Sequence, residues 1–301
     1  MKAEWIAVDW GASRLRVWAM QGEDVIAERV SDNELGNLNQ QGFELALLEL
    51  VEDWIGEAPV NAIVCGMLGA GLDWAKAPYN TVPASPLAQS LVKLQSTDPR
   101  LQIYGVPGLG QDRPADVMHR EETLIAGFLS QNENWDGVIC LPGPQTKWVH
   151  ISANEVVSFQ TFMTGEIFDF LSSTSELRHS IGAGWDKTAF FDAMDETLSR
   201  PETFAAKLFS IRAQDLLEVQ GGEMARARLS GLLVGVELAA ARPYWLGQQI
   251  AMISADSLMS VYAQALERQG APVVRHDEKA MTIAGLIQAK KHLASPTHTV
   301  H

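Results

Sequence analysis

A segment near the start of the chain recurs in its second half, and this internal repeat constrains the fold more than any other feature. Residues 6–29 read IAVDWGASRLRVWAMQGEDVIAER, and residues 138–161 read VICLPGPQTKWVHISANEVVSFQT. Aligned without a gap, the segments are identical at Gly11 and Gly143, Val17 and Val149, Glu23 and Glu155, and Val25 and Val157. Each copy predicts a buried strand, a turn containing glycine, and two further strands joined by a polar turn. Two ordinary meanders could match by chance, but each copy begins a comparable alternation of helix and strand, which favours a duplicated domain.

Hydrophobic periodicity predicts the elements that follow each copy. After the first copy we predict a helix over 42–55, strands over 61–65 and 101–104, a loop over 105–110 and a helix over 121–129. After the second copy the predicted helices cover 166–171, 186–194, 222–241, 256–268 and 278–289, and the predicted strands cover 250–253 and 272–275. Gly231 and Gly235, one turn apart, are predicted to allow close helix packing. The pattern is typical of an α/β protein with two similar domains, 1–134 and 135–301, each a mixed sheet flanked by helices, with an interdomain cleft.

The acidic composition restricts the partners of the chain. Its 301 residues carry 37 Asp and Glu against 23 Lys and Arg, a net charge of −14, which would repel a phosphate backbone or an anionic membrane. We therefore expect a small-molecule ligand and neither a nucleic-acid nor a membrane partner. Cys65 and Cys140 lie in apolar runs and are predicted to be buried. Because the chain opens directly into a strand pattern, with no secretory signal, we expect a cytoplasmic protein.

The two glycine-containing turns are candidate phosphate-binding sites. A glycine turn exposes backbone N–H groups, and two such turns facing a cleft could hold the phosphates of a nucleotide. Asp9 ends the first predicted strand and is a candidate Mg²⁺ ligand, since this cation prefers oxygen. The other candidate nucleotide contacts are Gly11, Ala12, Ser13 and Arg14 in the first turn and Gly143, Gln145, Thr146 and Lys147 in the second. The alternative is that both are ordinary tight turns and that Asp9 is incidental.

Other common sites are absent from the sequence. There is no GxxxxGK[ST] motif and no GxSxG motif. The segment after Gly11 continues as a strand, which argues against a dinucleotide site of the Rossmann type. The seven histidines show no metal-binding spacing.

Eight segments resemble, in the same order, those of the 2-dehydro-3-deoxygalactonokinase family. They are DWGASRLRVW (9–18), CGMLGA (65–70), WAKAPYNTVPA (74–84), VPGLG (106–110), DVMHREET (116–123), LPGPQTKWV (141–149), MTGE (163–166) and GLLVGVE (231–237). The resemblance covers nearly the whole chain. It implies two domains of the actin-like, ribonuclease H-like fold, Mg²⁺-ATP as phosphoryl donor, and phosphorylation of the C6 hydroxyl of 2-dehydro-3-deoxy-D-galactonate. For the assembly, we consider a homodimer.

Three positions depart from the pattern expected of this family. Pro144 follows Gly143 in the second turn and has no N–H to offer a phosphate. Arg120 stands where a glycine is usual, and Ala255 stands where a glycine would face the nucleotide, just before a predicted helix. These departures keep two alternatives open: a kinase for another 2-keto-3-deoxy sugar acid, and a sugar-acid-binding protein that has lost phosphoryl transfer.

The resemblance also suggests catalytic and substrate-binding residues. Related carbohydrate kinases carry a catalytic carboxylate at the start of the helix before the second phosphate-binding turn. Glu121 holds that position and is the first candidate for the base, with Asp116 second. The alternative is that these acids cap the helix. The candidate contacts of the sugar acid are Arg16, Gly69, Lys76, Tyr79, Thr164 and Glu166.

Overall fold

The structure of the protein is a computed structural model that describes residues 2–11, 14–31, 40–66, 79–87, 90–218 and 221–294. The predicted binding residues Ala12, Ser13, Gly69 and Lys76 lie outside the described residues. The chain forms two compact units: Met1–Asp136 with Ile151–Ser158 and Asp277–His301, and Gly137–His150 with Phe159–His276. The domains 1–134 and 135–301 stay a prediction, which differs from these units mainly in its assignment of residues 277–301.

The first unit contains a mixed sheet and a smaller one. Its strands are β1 (Trp5–Trp10), β2 (Leu15–Gln21), β3 (Asp24–Ser31), β4 (Val60–Gly66), β5 (Asn80–Thr81), β6 (Val92–Lys93), β7 (Leu101–Gly105), β8 (Leu109–Asp112) and β9 (Ala115–Met118). The larger sheet has the order β3-β2-β1-β4-β7-β6, with β1 antiparallel to β2 and parallel to β4. The smaller sheet has the order β5-β8-β9. The prediction of a loop over 105–110 is therefore wrong in part, because Leu109 and Gly110 belong to β8 and pair with β5 and β9.

The second unit is built on a five-stranded sheet. Its strands are β10 (Gly137–Leu141), β11 (Thr146–Ser152), β12 (Glu155–Phe162), β13 (Ile250–Ser254) and β14 (Val273–Asp277). Their order is β12-β11-β10-β13-β14, and β10 pairs in parallel with β13. This order corresponds strand for strand to β3-β2-β1-β4-β7 of the first unit. The internal repeat predicted from the sequence is therefore confirmed at the level of topology.

Helices cover the sheets. They are α1 (Gln40–Val51), α2 (Glu121–Gln131), α3 (Thr164–Ser173), α4 (Lys187–Ser199), α5 (Phe204–Glu218), α6 (Gly222–Ala240), α7 (Arg242–Trp245), α8 (Asp256–Arg268) and α9 (Glu278–Ala294). Short 3₁₀ turns cover Glu176–His179 and Pro201–Thr203. Within the part of the chain that the structure describes, no helix has the length and apolar character needed to cross a bilayer.

Strand β1 is buried on both faces, which fixes the layers of the first unit. Alternate side chains of a strand point to opposite faces of the sheet. Ile6, Val8 and Trp10 pack in one core cluster, where Trp10 stacks on Phe43 of α1 with ring centroids 4.0 Å apart. Trp5 and Ala7 belong to a second cluster, which also contains residues of α2 and α9. Cys65 and Cys140 are both buried, as predicted.

Two helix pairs pack so closely that glycine is required at the contact. A Cβ on Gly127 of α2 would lie 2.0 Å from the carbonyl oxygen of Met281, and one on Gly285 of α9 would lie 1.9 Å from that of Thr123. In the second unit, a Cβ on Gly231 of α6 would lie 2.2 Å from the backbone of α4. The role predicted for Gly231 is confirmed, and the α2–α9 contact fixes the helix that carries Glu121.

Candidate active site

Asp9, at the carboxyl end of β1, is the centre of a buried charge cluster in the first unit. Its side chain is almost fully enclosed. Arg120 donates from Nε to Oδ1 at 2.6 Å and from Nη2 to Oδ2 at 3.0 Å. Arg16, which lies opposite Asp9 on β2, contacts Oδ2 through Nη2 at 2.7 Å and Nε at 3.1 Å. Burial raises the pKa of Asp9, but the charges and hydrogen bonds of Arg120 and Arg16 outweigh it and hold the pKa below its usual range.

Glu278, the first residue of α9, completes this cluster. Its Oε1 accepts a hydrogen bond from Nη2 of Arg120 and lies 3.6 Å from Nη2 of Arg16. We call Asp9, Arg16, Arg120 and Glu278 the charge quartet. Two carboxylates and two guanidiniums balance one another, which a buried group of charges requires.

Arg120 has an unusual backbone conformation. It precedes α2 with φ 95° and ψ −45°, a region that residues with a Cβ rarely adopt. Its N–H donates to Oε1 of Glu122 at 3.0 Å. The residue is thus held at its backbone by Glu122 and at its guanidinium by Asp9.

Glu122, which neighbours the first candidate base in the acidic group of Asp116, Glu121 and Glu122, is fully buried. Its Oε1 also accepts the hydroxyl of Thr123 at 3.0 Å, whereas no described residue is a hydrogen-bond partner of Oε2. Burial, followed by the negative charge of Glu121, raises the pKa of Glu122 to about 8. The carboxyl is therefore protonated at neutral pH. The RxE spacing that places its oxygen on the N–H of Arg120 was visible in the sequence, but the burial was not.

In the second unit, the turn between β10 and β11 packs against the start of α3. The N–H of Glu166 donates to the carbonyl of Pro144 at 2.9 Å, and Nε2 of Gln145 lies 3.4 Å from Oε2 of Glu166. A Cβ on Gly165 would lie 2.6 Å from the carbonyl oxygen of Gly143, so glycine is required there. Predicted residues of the turn and of the MTGE segment are thus neighbours.

A buried hydrogen-bond network stabilises the turn between β10 and β11. The hydroxyl of Thr146 lies 3.0 Å from that of Tyr262, which donates to Oε2 of Glu237 at 2.7 Å. Nε1 of Trp148 donates to Oε1 of Glu237 at 2.9 Å. Burial raises the pKa of Glu237 to about 7, although hydrogen bonds from Thr164, Trp148 and Tyr262 lower it. Thr164 is therefore bonded directly to this buried acid, and Thr146 is linked to it through Tyr262.

A cavity of about 500 Å³ adjoins the same turn. Its lining combines the turn, the start of α3, and parts of α6 and α8, including Gly143, Thr164, Phe168, Arg226 and Tyr262. A Cβ on Gly143 would have its nearest neighbour 3.9 Å away, so the turn faces open space. The arrangement can accept a ligand with a flat apolar part and a polar end.

Comparison with known proteins identifies the family. The model of the 2-keto-3-deoxy-galactonokinase family matches residues 9–289 of the chain. The chain belongs to this family. It is 35% identical over 298 residues to "Probable 2-dehydro-3-deoxygalactonokinase DgoK1" of Rhizobium meliloti (strain 1021), covering 95% of this chain and 96% of that one. It is 33% identical over 282 residues to the 2-dehydro-3-deoxygalactonokinase of Escherichia coli (strain K12), covering 91% and 92%.

A solved structure supports the same conclusion. The crystal structure of a protein from Sinorhizobium meliloti that bears the same kinase name superposes with a TM-score of 0.87 at 33% identity, covering 96% of this chain and 99% of that one. The fold expected from the resemblance, actin-like α/β units with mixed sheets flanked by helices, is confirmed. The interdomain cleft stays a prediction.

The candidate bases of this 2-keto-3-deoxy-galactonokinase family member lie on two elements of the first unit. Glu121 is the first residue of α2, directly after Arg120. Asp116 lies on β9, where its carboxylate accepts the N–H of Val117 at 2.8 Å. Tyr79, a candidate substrate contact, makes a hydrogen bond to Nε2 of His119, with ring centroids 4.6 Å apart. The catalytic and substrate roles of these residues stay predictions.

Three predicted nucleotide contacts, Gly11, Lys147 and Ala255, have few hydrogen-bonding groups left for a nucleotide in this conformation. The N–H of Gly11 donates to the carbonyl of Arg14 at 2.9 Å, which closes the first turn. Nζ of Lys147 is buried and donates to Thr161 of β12 at 3.1 Å. Ala255 caps the start of α8 through its backbone alone, and Ser254 before it donates to the carbonyl of Pro142 at 3.0 Å.

A divalent cation does not fit Asp9 as a direct ligand in this arrangement. Both carboxylate oxygens accept guanidinium hydrogen bonds, and the side chain is 1% exposed, so a cation would have to displace an arginine to reach it. Among the residues that the structure describes, no cluster of three or more His, Cys, Asp and Glu side chains could hold a metal. The prediction that Asp9 binds Mg²⁺ therefore lacks support from the geometry.

Proposed function

We propose that this protein transfers the γ-phosphoryl group of ATP to the C6 hydroxyl of 2-dehydro-3-deoxy-D-galactonate. The observation that carries the proposal is family membership over residues 9–289, with relatives bearing this kinase name matched over more than nine-tenths of both chains. The hydroxyl oxygen bonds to the γ-phosphorus, the bond to the β-phosphate oxygen breaks, and ADP leaves. The hydroxyl proton passes to a base.

The second unit supports the nucleotide part of the proposal. Its cavity of about 500 Å³ has apolar and aromatic residues along one side and the Gly143 turn at its end. We assign the nucleoside to the cavity and the phosphates to the turn, where the N–H of Gln145 is the candidate donor and the buried Thr146 hydroxyl, bonded to Tyr262, supports the turn. Pro144 has no N–H, so the turn offers one donor fewer than its length would allow.

The first unit supplies the candidate base. In-line phosphoryl transfer needs a carboxylate that accepts the hydroxyl proton. Glu122 is a weaker candidate, because its side chain is fully buried and its Oε1 is held by the N–H of Arg120 and the hydroxyl of Thr123. We therefore keep Glu121 as the first candidate and Asp116 as the second. Mg²⁺, as expected of the family, would neutralise phosphate charge; its ligands are to be sought outside the direct reach of Asp9.

We assign recognition of the sugar acid to Arg16 and Tyr79, both in the first unit. The substrate roles of Thr164 and Glu166, which open α3 in the second unit, stay predictions. A cationic guanidinium suits the substrate carboxylate, and hydroxyl and carboxylate groups suit sugar hydroxyls. About one-fifth of the Arg16 side chain is exposed, which leaves a face for a ligand beside Asp9.

One observation favours a second function. Asp9 is paired with two arginines, and Pro144 removes an N–H donor from the second turn. Both features weaken the handling of ATP, so they favour a protein that binds the sugar acid without transferring phosphate. ADP release with Mg²⁺-ATP and 2-dehydro-3-deoxy-D-galactonate separates the two functions, with the gluconate epimer for comparison. We expect release that requires the acid and is faster with the galactonate form. Calorimetric binding of the acid without ADP release would replace the kinase proposal with the binding function.

A further inference from the structure

The charge quartet contains a residue whose conformation is costly and whose contacts are specific. Arg120 has φ 95° in a position where glycine would adopt the same backbone without steric conflict. Strained residues of this kind persist where surrounding contacts fix them, and they concentrate at functional sites. The contacts that fix Arg120 are the Oε1 of Glu122 on its N–H and the carboxylate of Asp9 on its guanidinium.

The guanidinium of Arg120 occupies both oxygens of Asp9. Nε reaches Oδ1 at 2.6 Å and Nη2 reaches Oδ2 at 3.0 Å, the two-pronged geometry that arginine forms and lysine cannot. Oδ2 also receives Arg16, and Oδ1 has the Cys65 thiol at 3.9 Å. A cation could reach Asp9 only by displacing Arg120 and overcoming the repulsion of two neighbouring guanidiniums.

Glu278 contacts the same guanidinium, at the Nη2 atom that also bonds Asp9. Its Oε1 accepts from Nη2 of Arg120, so release of Asp9 would also disturb the start of α9. The closing helix of the chain and β1 are thereby joined through one arginine. Displacement of Arg120 from Asp9 would consequently also disturb the hydrogen bond of its Nη2 to Glu278.

We propose that Arg120 is a positioning residue that competes with a divalent cation for the carboxylate of Asp9, so that nucleotide binding by this protein depends little on metal coordination at that residue. The inference rests on the proposed function, because it concerns the nucleotide of the kinase reaction. It differs from that function in that it assigns the carboxylate of Asp9 to an arginine and not to the cation.

The experiment compares ADP affinity with Mg²⁺ and with EDTA by calorimetric titration of the full chain. The variants are Arg120→Gly, which frees Oδ1 and suits the positive φ, and Arg120→Lys, which keeps the charge but loses the two-pronged contact. Asn154→Gly is the matched control, because Asn154 in the same unit also has a positive φ, of 60°, and makes no contact with Asp9. The measured quantity is the ADP affinity with Mg²⁺ divided by the ADP affinity with EDTA. We expect this ratio to be small and similar in the wild type and in the control.

In Arg120→Gly we expect the ratio to rise by roughly tenfold, within the range of coupling between two bound ligands. If that variant does not fold, as judged by circular dichroism, a rise in Arg120→Lys decides in its place. Ratios that stay within about twofold of the wild type in every folded Arg120 variant would overturn the inference, as would an equal rise in Asn154→Gly. Failure of the wild type to bind ADP in either buffer would instead overturn the proposed function, and the inference with it.

Discussion

Replacement of Glu122 by glutamine should change how the stability of the protein depends on pH. The glutamine side chain has the same shape, and its Oε1 can accept the same hydrogen bonds from the N–H of Arg120 and the hydroxyl of Thr123. The other end of the side chain, Oε2, has no described hydrogen-bond partner that the amide would lose. The substitution therefore removes one titration and little else.

The sign follows from the raised pKa. Folding raises the pKa of Glu122 from its ordinary value near 4.3 to about 8, so the folded state binds the proton more tightly than the unfolded chain. The resulting stability is fully present below pH about 4.3 and is lost as the pH rises towards 8. Since one pKa unit corresponds to about 1.4 kcal/mol, the wild type should lose about 2–3 kcal/mol relative to Glu122→Gln between pH 5 and pH 7.

Urea unfolding at a series of pH values from 5 to 8.5 tests this expectation. The quantity of interest is the difference in unfolding free energy between the wild type and Glu122→Gln, because titrations common to both proteins cancel. Glu133→Gln, at an exposed position just beyond α2, should follow the wild type at every pH. A difference between wild type and Glu122→Gln that is constant across the series would refute the argument that burial keeps Glu122 protonated.

Three further substitutions test the packing and the chemistry. Gly285→Ala places a Cβ 1.9 Å from the backbone of α2 and should lower the unfolding free energy, measured by urea unfolding, by about 3 kcal/mol. The control is Gly56→Ala, whose Cβ would have its nearest neighbour 3.9 Å away, and it should lower the unfolding free energy far less. Tyr262→Phe deprives the buried Glu237 of a donor and should cost about 1–3 kcal/mol in the same assay. Glu121→Gln should reduce kcat by roughly 100-fold at an unchanged unfolding midpoint if Glu121 is the base; unchanged turnover would transfer the role to the second candidate.

The sequence predicted the three-stranded meander that opens each large sheet because the information is local. Each copy of the repeat encodes its own alternation and turns, and consecutive strands usually pair. Helix α8 begins and ends at the predicted residues, since its amphipathic pattern is continuous. Strand β8 was missed because Gly108, Gly110 and the nearby Pro107 are typical of a loop, and only the pairing of β8 with β5 and β9 makes it a strand.

The charge quartet could not be predicted from the sequence. Asp9 and Arg120 are 111 residues apart, and Asp9 and Glu278 are further still, so no spacing relates them. In the sequence, Arg120 is recognisable only as a departure from a glycine pattern, and its positive φ explains why glycine would suit the position. Burial likewise decides the protonation of Glu122, and burial is a property of the tertiary packing of α2 against α9.

The two copies of the repeat share a backbone plan and differ in the charge that they carry. In the alignment Asp9 corresponds to Leu141, and both are buried at the end of the central strand of their sheet. The first copy therefore concentrates ionised groups, which need the arginines that surround them. The second copy carries Thr146 where the first has Arg14, and it supports its turn with the hydrogen bonds of one buried acid. The first copy thus carries ion pairs at the end of its β1 strand, whereas the second copy supports its turn with hydrogen bonds.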